Sequence, residues 1–168
     1  IIKCLKNTTF ASQIKSLNIS EYFVTDDILG DLLINPNPFR KLKRLNISET
    51  KMEKRGLEII LNWDGLKNLT SLAISEHKKI EIEAWENFCE KLLYIDLNLK
   101  FLELEFNRLT NKCVEFLVHA QWSKNLIKLG ISGCTLIDYE GLKPIIALKE
   151  KYKVMDLEDI YEDFKQFF

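Results

Sequence analysis

The chain has 168 residues, 46% of them hydrophobic and 29% charged, which supplies enough apolar mass for one continuous core. Its 24 Lys and Arg against 25 Asp and Glu leave a formal net charge of −1, which argues against a global basic field holding nucleic acid or an anionic membrane. No apolar run approaches the roughly 20 residues that span a bilayer, and the opening "IIKCLKNTTF" lacks the charged lead and long apolar core of a secretory signal.

Residues 1–13 carry only the tail of a helix-like pattern, "IIKCL", and are expected to be part of a preceding repeat or an N-terminal cap. From Ile14 a seven-residue phrase recurs: "IKSLNIS" at 14–20, "LKRLNIS" at 42–48 and "LTSLAIS" at 69–75. Written as apolar, two others, apolar, one other, apolar, the pattern also fits Leu99/Leu102/Leu104 and Leu126/Leu129/Ile131, with a weaker copy at Tyr152/Met155/Leu157. Successive copies start 28, 27, 30, 27 and 26 residues apart. A period this regular marks a repeat architecture, in which no unit can bury its apolar side alone. Inside each phrase the fourth and sixth positions alternate with polar neighbours, so a short strand turns Leu17 and Ile19, or Leu45 and Ile47, to one side.

Between the phrases the period becomes helical. "TDDILGDLL" (25–33) predicts a helix with Thr25 as N-cap, acids in the first turn, and Ile28, Leu29, Leu32 and Leu33 on one face. Pro36 and Pro38 break the chain before the second strand. "RGLEIILNW" (55–63) is the next helix, and "IEAWENFCEKLL" (82–93), with Trp85, is expected to carry one extra turn. "TNKCVEFLVHAQW" (110–122) repeats the scheme, with Thr110 as cap and Cys113, Phe116, Leu117 and Ala120 inward. In "DYEGLKPIIALKE" (138–150), Pro144 is expected to kink the helix or to mark its start. The last stretch, 151–168, reads as a degenerate repeat and a C-terminal cap helix, or as an aromatic end that docks a further domain.

The cysteines Cys4, Cys89, Cys113 and Cys134 form no CxxC pair, which argues against a zinc ribbon or a thioredoxin-like site and suggests a reducing compartment. Asn-X-Ser/Thr triplets at Asn7, Asn18, Asn46 and Asn68 point the other way on pattern alone.

The stretch "LIKLGISGCTLIDYEGLKPI" (126–145) resembles the leucine-rich repeats of the ribonuclease-inhibitor and cysteine-containing type, whose loose pattern is L-x-x-L-x-L-x-x-[NC]-x-x-[IL]-[TS]-D-x-G-L-x-x-L. Cys134 falls on the Asn/Cys position, Ile137 and Asp138 on the turn, and Gly141 with Leu142 on the helix start. "VTDDIL" (24–29) and "RLTNKCVEFL" (108–117) match the same turn, and Asn107 takes the Asn position. Tyr22, Thr50 and His77 depart from it, so the polar ladder beneath the strands is expected to be discontinuous, with His77 bonding to backbone. The resemblance covers about residues 14–150. It implies an α/β fold: a leucine-rich-repeat solenoid, a horseshoe arc with a parallel concave sheet and helices on the convex side. About five to six repeats form a single domain over 1–168, with five of them in 14–150.

The outward third, fifth, seventh and eighth positions of each unit are the default binding surface of such a sheet. Ser20, Ser48 and Ser75 form one predicted column, and Glu21, Glu49 and Glu76 another. One reading makes these locally bonded small residues and solvated acids. The other centres on Phe101, flanked by Glu103 and Glu105, as a hot spot for a basic or mixed-charge protein segment, with Phe106 either joining it or turning into the core. The candidate protein-binding residues are Arg44, Asn46, Ser48, Ser71, Ser75, Phe101, Glu103, Glu105 and Lys128.

The chain has only His77 and His119, lacks GxSxG, HExxH and P-loop motifs, and holds Cys113 and Cys134 at expected core positions where burial leaves a thiol inert. No catalytic, cofactor or metal residue is assigned. The expectation is a cytoplasmic, non-enzymatic scaffold that binds a protein partner on its concave sheet, without nucleic acid or membrane insertion. Two alternatives stand: a substrate-receptor fragment of a ubiquitin ligase, which the cysteine-containing repeat type suggests, and a fixed structural subunit of a larger assembly.

Overall fold

A computed structural model of the chain describes residues 10–34 and 38–152, with side chains through Ala147. Cys4, the Asn7 triplet, Pro36, the sixth phrase beyond Tyr152, the expected C-terminal cap and most of the first 13 residues lie outside the described residues.

Each of the five strong phrases forms a three-residue strand: β1 (Ser16–Asn18), β2 (Arg44–Asn46), β3 (Ser71–Ala73), β4 (Phe101–Glu103) and β5 (Lys128–Gly130). They make one all-parallel sheet in chain order, and equivalent positions face each other: Leu17, Leu45, Leu72, Leu102 and Leu129 run as a single row. These five leucines are at most 7% exposed, and burying each contributes roughly 1.5–3 kcal/mol. The strands are short because the backbone turns at the same place every time. Glu21, Glu49, Glu76, Phe106 and Gly133, each at the eighth position of its unit, all have positive φ between 54° and 67°.

A helix follows each strand: α1 (Asp26–Leu33), α2 (Lys54–Asn62), α3 (Ile82–Leu93), α4 (Asn111–His119) and α5 (Tyr139–Tyr152). The apolar faces of the helices join the leucine rows in one core that includes Leu29, Leu57, Trp85, Leu117 and Leu142. At 12 residues, α3 exceeds α1, α2 and α4 by about one turn, as Trp85 suggested. After α2 and α4 the chain returns to the sheet through short 3-10 turns, Asp64–Asn68 and Gln121–Asn125, with the buried Trp63 just before the first and the buried Trp122 inside the second.

Two local expectations are corrected. Thr25 and Thr110 hold the N-cap positions, but neither side chain caps a backbone N–H of its helix. Both are extended and bridge in parallel to the next unit, at Lys51 and Leu136, and the Thr110 hydroxyl donates to Glu86 (2.8 Å). Inter-unit pairing has displaced capping. Pro144 does not start α5, which begins five residues earlier and continues past it. Phe116 packs against the core as expected but stays half-exposed beneath Lys112, and Val114 is buried beside Cys113.

Candidate protein-binding face

The helices cover the face of the sheet that carries the leucine rows. The opposite face presents the third, fifth, seventh and eighth positions, and pairing fixes which of them are neighbours. One row runs Ser16, Arg44, Ser71, Phe101, Lys128, and the next runs Asn18, Asn46, Ala73, Glu103, Gly130. Seven of the nine candidates are accessible there. Arg44 and Phe101 are exposed, and Asn46, Ser71, Glu103, Glu105 and Lys128 are half-exposed.

Ser48 and Ser75 are the exception. Both are buried, and their hydroxyls serve the sheet: Ser48 Oγ accepts the Ser75 backbone N–H (2.9 Å) and Ser75 Oγ accepts that of Glu105 (3.1 Å). The fifth position explains why. Where it is asparagine, the side chain satisfies the same N–H within its own unit, as Asn18 does for Ser20 (2.9 Å) and Asn46 for Ser48 (3.0 Å). Where it is Ala73 or Glu103, the N–H turns to the serine of the preceding unit. The phrase "NIS" is thus read by the backbone, and these two serines offer a partner little.

The fourth unit forms the most prominent ridge. Phe101 and Phe106 are 39% and 43% exposed, and Phe106 stays out of the core because its positive φ throws the side chain outward. Both Phe106 and Glu105 lean over the fifth unit, where a side chain at Gly133 or Gly130 would collide with them. Lys78 lies 5.4 Å from the Phe106 ring centre and 2.8 Å from Glu76, while Lys128 lies 3.8 Å from Glu103. Lys78 was not among the candidates; its place two residues after the recurring glutamate was the available signal. The two phenylalanines therefore stand among alternating charges, with the small residues Ser71 and Ala73 leaving the third unit low beside them.

A buried polar ladder holds the turns that carry this face. Asn107 Nδ2 donates to the carbonyls of Ile74 (2.6 Å) and Leu104 (3.0 Å), and its Oδ1 accepts the His77 N–H (2.7 Å). Cys134 Sγ meets the Leu104 carbonyl at 3.3 Å, and Thr50 Oγ1 donates to Ile47 at 3.1 Å. His77 Nε2 reaches that same Ile47 carbonyl, one unit back, at 3.0 Å, so the imidazole replaces the carboxamide. The expected discontinuity is thus absent at His77, whereas Thr50 bonds only within its own unit and Tyr22 is exposed, so the ladder runs from the second unit to the fifth. Burial, opposed in part by the Ile47 bond, lowers the His77 pKa below its ordinary 6.5.

Among the described residues neither histidine bonds to a serine or cysteine: His77 meets Ile47, and His119 Nδ1 meets the Glu115 carbonyl (2.7 Å). Cys89, Cys113 and Cys134 are free and buried. Cys89 holds its proton in a hydrogen bond to Cys113 and in an apolar setting, which raises its pKa well above the usual thiol value, and burial raises Cys134 to about 11. The same bond from Cys89 lowers Cys113 to about 7, so burial alone does not set that thiol as expected. Among the described residues no His, Cys, Asp and Glu cluster could hold a metal ion, and no helix is long and apolar enough to cross a membrane. No protein-family model matches the chain, and no curated protein matches it.

Proposed function

We propose that this chain is a leucine-rich-repeat solenoid of the ribonuclease-inhibitor and cysteine-containing type, whose open sheet face binds a protein partner and carries no catalysis. The observation that carries the reading is the fourth unit. Two aromatic rings, Phe101 and Phe106, are exposed on a sheet face otherwise built of small and charged side chains, and charged groups flank both. Such a surface gains from a protein segment that desolvates the rings and pairs with the charges around them. A repeat stack with helices behind one face also leaves the other as its largest uniform surface. A reducing, cytoplasmic setting belongs to the same proposal, supported by three free, buried thiols, two of which, Cys89 and Cys113, are hydrogen-bonded to each other without a disulfide.

The test is an affinity pull-down from native extract with the wild-type chain beside a Phe101→Ala/Glu103→Lys variant, with quantitative mass spectrometry. Proteins retained by the wild type and depleted from the variant support the reading. Equal recovery from both removes the sheet face from the function.

A further inference from the structure

The net charge of −1 conceals a polarisation along the strands. Because the five strands are parallel and in register, the segments leading into them lie side by side along one edge of the sheet. Bonds between units tie these segments together. Lys41 Nζ donates to Gln13 Oε1 (2.7 Å), Lys43 Nζ to the Asn68 carbonyl (3.1 Å) and Asn98 Nδ2 to the Lys67 carbonyl (3.0 Å). Residues 10–16, 38–44, 64–71, 94–101 and 121–128 together hold nine lysines and arginines and two acids, Asp64 and Asp96. The segments leaving the strands, 20–27, 48–55, 75–83, 105–112 and 132–140, hold eleven acids against seven lysines and arginines.

Seven of the nine cations on the leading edge are exposed. Of these nine, only Lys128 is paired with a carboxylate among the described residues, at 3.8 Å from Glu103. Neighbouring strands are about 4.8 Å apart, so these like charges repel one another across the edge. Solvent salt screens such repulsion over roughly 8 Å at physiological strength, and a ligand bringing carboxylates would relieve it directly. The same edge carries apolar anchors: Phe101 follows Lys100 and is in register with Lys128, and Tyr94 is 80% exposed.

We propose that this basic edge docks an acidic protein segment, with the lysines and arginines receiving its carboxylates and Phe101 receiving an apolar side chain. The inference rests on the protein-binding reading of the adjoining face, which shares Arg44, Phe101 and Lys128, and it specifies the chemistry of the partner. A peptide fits better than a nucleic acid. Asp64, Asp96 and Glu103 interrupt the cations, and the far edge is acidic, which opposes a continuous polyphosphate but suits discrete side chains.

The test is fluorescence anisotropy with the purified chain and three labelled probes: a peptide of repeating Glu-Asp-Phe-Glu, its Lys-Arg-Phe-Lys inverse, and oligouridylate. The wild type is expected to bind the acidic peptide, less tightly as salt rises. An Arg40→Glu/Lys41→Glu/Lys67→Glu/Lys124→Glu variant, altered only at exposed positions of the leading segments, is expected to bind it at least about tenfold more weakly. Circular dichroism checks its fold, and the milder Lys67→Gln/Lys124→Gln pair, expected to weaken binding by a few-fold, serves if it does not fold. Equal affinity in the edge variants, no binding of the acidic peptide, or preference for oligouridylate each overturns the inference. A pull-down partner that the edge variants retain, beside failure of the peptide, overturns the edge and leaves the face reading intact. Loss of the peptide from the edge variants, with pull-down recovery unchanged by Phe101→Ala/Glu103→Lys, does the reverse.

Discussion

Replacing Asn107 by alanine removes the most heavily used side chain of the polar ladder. Asn107 is 4% exposed and makes three hydrogen bonds, donating to Ile74 and Leu104 and accepting from His77. The Leu104 carbonyl keeps its contact with Cys134, so the variant strands chiefly the Ile74 carbonyl and the His77 N–H. A buried polar group left without a partner costs about 1–3 kcal/mol and each lost bond about 1 kcal/mol, so Asn107→Ala should lose about 3–5 kcal/mol. Urea denaturation followed by circular dichroism measures the loss, with an unchanged m-value showing that the same surface is still buried. Thr50→Val is the internal control, since it removes one bond, Thr50 Oγ1 to the Ile47 carbonyl, and should cost about 1 kcal/mol. A loss below about 1 kcal/mol for Asn107→Ala would refute the claim that the ladder holds the turns.

Three further outcomes follow from the same geometry. Because burial lowers the His77 pKa below 6.5, the unfolded chain binds more protons than the folded one as pH falls past that value. This part of the stability is therefore complete above about pH 7 and is lost as the pH falls below 6.5, and His77→Asn, which copies Asn107, should flatten the slope in a pH series of urea midpoints. At the positive-φ position, Glu49→Gly should gain about 0.5–1 kcal/mol in the same denaturation assay, whereas Gly133→Ala, which meets the Phe106 ring, should lose at least about 1 kcal/mol. Phe101→Ala should change stability by less than about 0.5 kcal/mol while weakening an isolated partner by more than about 1 kcal/mol, read by calorimetry.

Spacing and alternation carried most of the fold. A strand triplet of fixed pattern every 27 to 30 residues placed all five strands correctly, and the helical runs between them placed four helices within two residues of their ends. The run to Trp122 overshot α4 by three because the chain turns at Ala120 into a 3-10 segment. The recurring eighth position was legible as a column, and the structure gives it one backbone conformation in all five units. What a single phrase could not show was the neighbour. Ser20, Ser48 and Ser75 look alike in sequence, yet Ser48 and Ser75 are consumed because the next unit has Ala73 or Glu103, not asparagine, at its fifth position. His77 looked like a break in the ladder because the pattern names residue types, while the structure asks only for a donor within reach of the Ile47 carbonyl. Charge polarisation escaped notice for a related reason. Its residues are scattered through the sequence, and stacking alone brings Lys15, Lys43 and Lys100 onto one edge.

The most direct measurement of the central claim is site-specific photo-crosslinking in native extract. A photoreactive phenylalanine analogue would replace Ser71, on the open sheet face, in one preparation and Glu115, exposed on α4, in another. The account predicts a discrete protein adduct from position 71 that disappears when Phe101→Ala is added, and none from position 115. An adduct from position 115 alone, or one from position 71 that survives Phe101→Ala, would contradict the assignment of the open sheet face as the binding surface.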